Sequence, residues 1–134
     1  MKNQRGATAV EFAIVFPLLI LLLFGIIEFS VILYDKAMIT NAIREGARAG
    51  IVSQLVRVSD TQIQNVVDNY CRLYLISFKS GTTPATIVGR TGSTFGDELT
   101  VTVTYTYSFL ALPHFVTGLV GPMNLTAKTV MRME

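Results

Sequence analysis

The chain has 134 residues, room for one domain, with 51% apolar side chains and only 15% charged ones, where soluble globular proteins carry roughly a quarter. Its net charge of +2 comes from 11 scattered basic residues against 9 acidic ones, which excludes the clustered basic face of a nucleic-acid binder. Cys71 and His114 are each the single residue of their type, which excludes an intramolecular disulfide, a cysteine metal cage and a histidine-centred triad.

Most of the apolar excess lies before residue 35. Residues 12–27, FAIVFPLLILLLFGII, carry no charge, and after Glu28 the run resumes as far as Tyr34. A stretch of this length crosses a bilayer as a helix, which pairs its backbone amides internally where no water is available. Glu11 and Glu28 bracket the stretch, about 26 Å apart at about 1.5 Å per residue. Both carboxylates are therefore expected near the interfaces, since an ionised group at mid-bilayer costs upwards of about 2.5 kcal/mol. Lys2 and Arg5 precede the span and no acid precedes them, which sets the N-terminus in the cytoplasm and the remainder outside. A cleaved secretory signal fits poorly, because the stretch is too long and EFSVILYDK behind it offers no small-x-small site. Pro17 removes one helical hydrogen bond, to the Ala13 carbonyl, which a membrane helix tolerates.

No proline interrupts residues 36–55, so the helix is expected to continue over 7–55 as a long stalk. Ala42, Gly46 and Gly50 recur every fourth residue, a stripe that admits a close neighbour. That neighbour is either the protein's own sheet, the reading preferred here, or a second chain. Ser59 with Gln62 forms a capping box, and Ile63, Val66, Val67, Tyr70, Cys71, Tyr74 and Leu75 follow at helical spacing. Cys71 on that apolar face is expected to be buried and inert. After the turn residues 80–84 the period changes to two. Leu99, Val101, Val103, Tyr105, Tyr107 and Phe109 alternate with threonines and a serine, a strand over 99–109. Shorter strands are expected over 85–90 and 124–133. Residues 113–121 make a loop with one helical turn and a surface His114. Asp97 and Glu98 read as a solvated loop end. The fold class is α+β, a small antiparallel sheet packed on the stalk helix with one apolar face inward.

Residues 5–12, RGATAVEF, resemble the class III signal peptide of type IV pilins. The resemblance implies cleavage by an aspartic prepilin peptidase after Gly6 and a mature chain that begins at Ala7. Glu11 is then its fifth residue, followed by Phe12, and an aromatic in that place resembles the tight-adherence (Tad) branch. Residues 42–49, AIREGARA, resemble the A-x-R-E-G-A-R block of TadE-like pseudopilins, and residues 128–134 are similar to their closing strand. The chain is identified on these residues as TadE-like. This implies a pilin-like architecture with a leader over 1–6, a transmembrane helix over 7–35 and an extracytoplasmic domain over 36–134. Gly6 and Ala7 are its processing residues, Glu11 and Phe12 its assembly residues, and Arg44, Glu45, Gly46, Ala47 and Arg48 its family motif. The implied partners are the prepilin peptidase, the major pilin and other minor pilins, the inner-membrane pilus platform and the bilayer. The implied location is the bacterial inner membrane, with entry into an extracellular pilus and the choice between a TadE-like and a TadF-like role left open.

The residues suit those roles physically. Gly6 leaves room and backbone freedom beside a scissile bond. Glu11 in the first turns of the helix complements its dipole, and the resemblance implies that it pairs with the α-amino group of a neighbouring subunit. The alternative is a carboxylate that snorkels to water as an interfacial anchor. Glu28 is expected to matter less for assembly. The leading functional expectation is a structural subunit of a Tad-type pilus for surface adherence. The competing one is a bitopic membrane adaptor with a periplasmic partner-binding domain. No phosphate-binding glycine motif is present, and neither an enzyme nor a cofactor is expected.

Overall fold

The first helix, α1, spans Gln4–Ile51, 48 residues with Pro17 inside it, or about 72 Å. The computed structural model describes residues 4–52, 57–77, 83–110, 117–118 and 121–134. Residues 1–3 and the expected helix end at Leu55 lie outside them. None of the apolar lower half of α1 is buried by the rest of the protein, and that half is long and apolar enough to cross a membrane.

From Glu28 upward the helix has two sides. Glu28, Asp35, Ile39, Ala42, Ile43, Gly46, Ala47 and Gly50 are buried, and Val31 and Ile32 are half-buried against the same core. The steps 28-32-35-39-42-46 alternate four and three residues, which keeps them on one face of a helix.

The second helix, α2, spans Asp60–Tyr74. Its capping box forms as expected: the Ser59 N–H donates to Gln62 Oε1 at 2.9 Å, and the Gln62 N–H donates to Ser59 Oγ at 3.2 Å. Ile63, Val67 and Cys71 face inward. Two glycines let α2 approach α1 closely. A Cβ at Gly46 would collide with Val67, and one at Gly50 would lie 2.5 Å from Ile63 and 2.6 Å from Leu99. The small-residue stripe thus receives mainly α2, and the sheet that was expected there enters at Gly50 through Leu99. The reason is that both helices lie side by side on the sheet, so each must bury a flank against the other as well as a face below. Cys71 is 1% exposed. Burial first, and then the Asp68 and Asp35 carboxylates, push its thiol up to about 11, so it stays protonated and unreactive.

Strands β1 (Ala85–Arg90), β2 (Glu98–Tyr107) and β3 (Met123–Arg132) form an antiparallel sheet in the order β1-β2-β3. Leu99, Val101, Val103, Tyr105 and Tyr107 of β2 are all buried and the threonines between them face outward, as the period of two requires. The strand stops two residues short of the expected Phe109. Phe109 packs edge-on against Tyr107 at 5.7 Å, and the Leu110 N–H leaves the ladder for a side-chain acceptor on α1. β3 is shifted by one residue at each end from the expected 124–133.

The free edge of β1 is covered by a polar stripe of α2. Asp60 Oδ1 accepts from Arg90 Nε at 2.6 Å, Gln64 Nε2 donates to the Thr86 carbonyl at 3.2 Å, and Asp68 Oδ1 accepts from Thr86 Oγ1 at 2.8 Å. Spacing of four along α2 brings all three to one side, and a sheet edge that would otherwise invite another strand is occupied.

The turn from β1 to β2 is ordered by Asp97. Its Oδ2 accepts from the Thr94 N–H at 2.7 Å and from Thr94 Oγ1 at 2.6 Å, and Gly96 takes a φ of +89° that disfavours any side chain. The Gly96 N–H donates to the Met133 carbonyl, the Met133 N–H to the Asp97 carbonyl, and the Glu134 N–H to the Ile51 carbonyl. Of the two residues expected to be a solvated loop end, Asp97 helps tie the hairpin to the top of α1 and Glu98 opens β2. Of the expected turn 80–84 only residues 83–84 are described. Within the expected loop 113–121, Thr117 and Gly118 are helical and the Gly121 N–H returns to the Thr117 carbonyl at 3.0 Å. His114 lies outside the described residues.

Two outcomes follow from this packing. Gly46→Val forces α2 off α1 and is expected to cost about 1–3 kcal/mol, read as a lower thermal midpoint of the detergent-solubilised protein. Gly25→Ala, where nothing lies within 4 Å, should leave that midpoint in place. The second outcome concerns acid. The hydrogen bonds from Thr94 hold the Asp97 carboxyl below its ordinary value, so its stabilising contribution is complete above about pH 4 and is lost as pH falls through the lower folded value. Urea unfolding at pH 7 and pH 3 should show a smaller acid loss for Asp97→Asn than for the native chain. An equal loss would remove Asp97 as the cause.

Candidate assembly surface along the first helix

The residues singled out from the sequence fall on α1 in two separate groups. Gly6, Ala7, Glu11 and Phe12 lie on its bare lower end, all exposed. A Cβ at Gly6 would meet nothing within 4 Å. Glu11 has no hydrogen bond or ion pair among the described residues. Phe12 is 62% exposed and stacks on Phe16 one turn above at 5.3 Å, as aromatic residues four apart on a helix do.

The second group, residues 44–48, lies about 50 Å farther along the axis. Its five residues divide by size. Gly46 and Ala47 are buried, whereas Arg44, Glu45 and Arg48 are exposed and make no hydrogen bond or ion pair among the described residues. The three charged residues line a shallow groove of about 400 Å³ with Asn41, Tyr70 and Met131. On the α2 side, Glu45 also borders an apolar wall made by Val66, Tyr70, Leu73 and Tyr74. The two groups do not form one site. They are the two ends of one rod.

Between them sit two residues that sequence reasoning missed as head contacts. Glu28 is 2% exposed, and its Oε1 accepts from the Tyr107 hydroxyl at 2.7 Å and from the Leu110 N–H at 2.9 Å. Burial first, and then the hydrogen bond to this carboxylate, push the Tyr107 hydroxyl up from its ordinary value, so the phenol remains a donor at any physiological pH. Glu28 was expected near an interface, and the structure encloses it in the head. Asp35 is fully buried, and its Oδ1 accepts from the Ile76 N–H at 2.9 Å, which fixes the segment leaving α2. Lys36 Nζ donates to the Thr126 carbonyl of β3. The signal for both acids was present in the sequence, because 28 and 35 continue the four-and-three stripe of Ile39, Ala42 and Gly46 downward. Among the described residues no group of His, Cys, Asp or Glu could hold a metal ion.

A helix with a bare apolar lower half, carrying a small α+β head on its upper half, fits a single-pass membrane protein. Residues 6–48 match the family model of the TadE-like proteins. No curated protein and no solved structure matches the chain. The matched segment runs from Gly6 to Arg48 and so contains both groups of residues and both buried acids.

Glu28→Ala leaves the Tyr107 hydroxyl and the Leu110 N–H without their acceptor and is expected to destabilise the head by about 1–3 kcal/mol. Glu28→Gln keeps an acceptor oxygen and should lose less. Thermal unfolding of the three proteins in detergent measures this, and an unchanged midpoint for Glu28→Ala would show that the two hydrogen bonds carry no net stability.

Proposed function

We propose that the chain is a structural subunit of a Tad-type pilus, a TadE-like minor pilin that serves surface adherence and has no catalytic chemistry of its own. In this reading the prepilin peptidase cuts after Gly6. The helix then holds the protein in the bacterial inner membrane, with the head on the periplasmic side, until it joins the major pilin, other minor pilins and the assembly platform. The observation that carries the reading is the coincidence of the family match over 6–48 with the surfaces this helix leaves unused. Glu11 and Phe12 below, and Arg44, Glu45 and Arg48 above, are all exposed and answer no need of the fold. Glu11 pairs with the α-amino group of a neighbouring subunit, an interaction that neutralises both charges where water is scarce.

Sequencing the mature protein from its native host should read ATAVEF, and recovery of MKNQRG on the functional membrane form would refute the processing step. Glu11→Ala should insert and be cleaved normally, yet reduce the number of pili. A buried pair broken on one side costs about 3–5 kcal/mol and a wet one about 0–1 kcal/mol, so the depth of the defect measures how dry the contact is. Glu28→Gln is the control, because it removes a charge of the same helix while leaving the head its acceptor. Normal piliation by Glu11→Ala would reduce Glu11 to an interfacial anchor.

A further inference from the structure

The head was expected to stand on a stalk above the membrane, yet it begins at the level where the bare helix ends. Residues 6–27 of α1 include no buried position, and Glu28 directly above them is buried. β2 runs downward along α1: Leu99 at its start meets Gly50, and Tyr107 at its finish meets Glu28. The turn bearing Phe95 is therefore the far end of the molecule, and the exit from β2 is the near end. Leu110, whose N–H reaches Glu28 at 2.9 Å, lies level with the top of the apolar stretch. Met123 pairs with Tyr107 in the sheet register and lies at the same end.

Apolar side chains described at this end are exposed. Phe29 is 62%, Leu33 53%, Tyr34 41%, Leu110 41% and Met123 37% exposed. The distance from Glu11 to Glu28 is about 26 Å, and a hydrocarbon core is about 30 Å thick within about 40–45 Å of bilayer in all. A core centred between the two carboxylates ends just past Glu28, and the headgroup layer then covers the next one or two turns of helix. Leu33 and Tyr34 fall inside that layer, while Phe29 and anything held level with Glu28 lie at its border with the core. The burial of Glu28 accords with this depth, since a carboxylate at the edge of hydrocarbon requires donors around it, and the head supplies two.

We infer that the head is seated in the bilayer interface through Leu110 and Met123, at the level of Phe29, Leu33 and Tyr34 of α1. The occupant of this patch is lipid. The Leu110 N–H is held at Glu28, at the border between hydrocarbon and headgroups, where lipid is the solvent. The inference rests on the apolar stretch being the membrane span, and it is independent of the pilus assignment.

The test uses the full chain in phosphatidylcholine vesicles, with single cysteines carrying the fluorophore NBD at Leu110→Cys, Met123→Cys, Leu22→Cys in the span and Phe95→Cys at the far end. Cys71 is buried, and the unsubstituted chain checks that it takes no label. Lipids bearing a nitroxide just below the headgroup act as quenchers. The Leu110→Cys and Met123→Cys labels should emit at shorter wavelength than Phe95→Cys and lose most of their emission to the nitroxide lipids, whereas Phe95→Cys keeps its own. If Leu22→Cys is quenched while Leu110→Cys and Met123→Cys both behave like Phe95→Cys, the head stands clear and the seating is wrong, although the span survives. A blue shift at both positions without quenching would mean that protein, not lipid, covers the patch, and would also overturn the proposal. An unquenched Leu22→Cys removes span and seating together.

Discussion

The seam along one side of α1, from Glu28 to Gly50, is the constraint on which the head depends. A single helix that emerges from a bilayer has no partner of its own, and a three-stranded sheet has one apolar face to cover. The seam satisfies both at once. At its upper end Gly46 and Gly50 remove the side chains that would keep α2 away, so Ile63 and Val67 can reach the helix surface. In its middle Ile39, Ala42 and Ile43 fill the space above the sheet. Close approach at the top sets the spacing, and the sheet fits beneath two helices already in contact.

At its lower end the seam changes chemistry. Glu28 and Asp35 occupy positions where the pattern calls for apolar residues, and burying a carboxylate is expensive unless it gains hydrogen bonds. Glu28 gains them from the Tyr107 hydroxyl and the Leu110 N–H, and Asp35 gains one on Oδ1 from the Ile76 N–H while its Oδ2 has none among the described residues. Leu110 and Tyr107 close the exit of β2, and Ile76 closes the exit of α2. Apolar contacts alone would leave these exits loose, because they have no direction, whereas a carboxylate acceptor selects one geometry. The lower head is therefore clamped to the helix at the point where the helix enters the apolar stretch.

The helix also separates what the fold needs from what it leaves available. Within residues 44–48, Gly46 and Ala47 serve the packing, while Arg44, Glu45 and Arg48 project from the other side beside a groove of about 400 Å³. An exposed Arg–Glu–Arg set contributes little to stability through surface ion pairing, and it lies within the segment that matches the TadE-like family model. The same division holds at Glu11, which is exposed on the bare lower half of the helix.

Local pattern was enough for much of this molecule. The apolar stretch, the capping box at Ser59 and Gln62, and the alternation along β2 each state their structure within a few residues, because helix and strand periods and cap chemistry are short-range properties. Cys71 as a buried thiol followed from its place on the apolar face of α2. The resemblance of residues 5–12 and 42–49 to pilin segments pointed to the family for the same reason, as contiguous motifs survive without knowledge of the fold. What only the tertiary structure decided are the pairings between distant residues. That α2, not the sheet, fills the glycine stripe depends on how two helices share one sheet face, and no local period encodes that choice. That Glu28 turns inward depends on Tyr107 and Leu110, some eighty residues later. A carboxylate beside an apolar run looks the same in sequence whether water or a buried donor awaits it, and its desolvation is set by the atoms the fold brings around it.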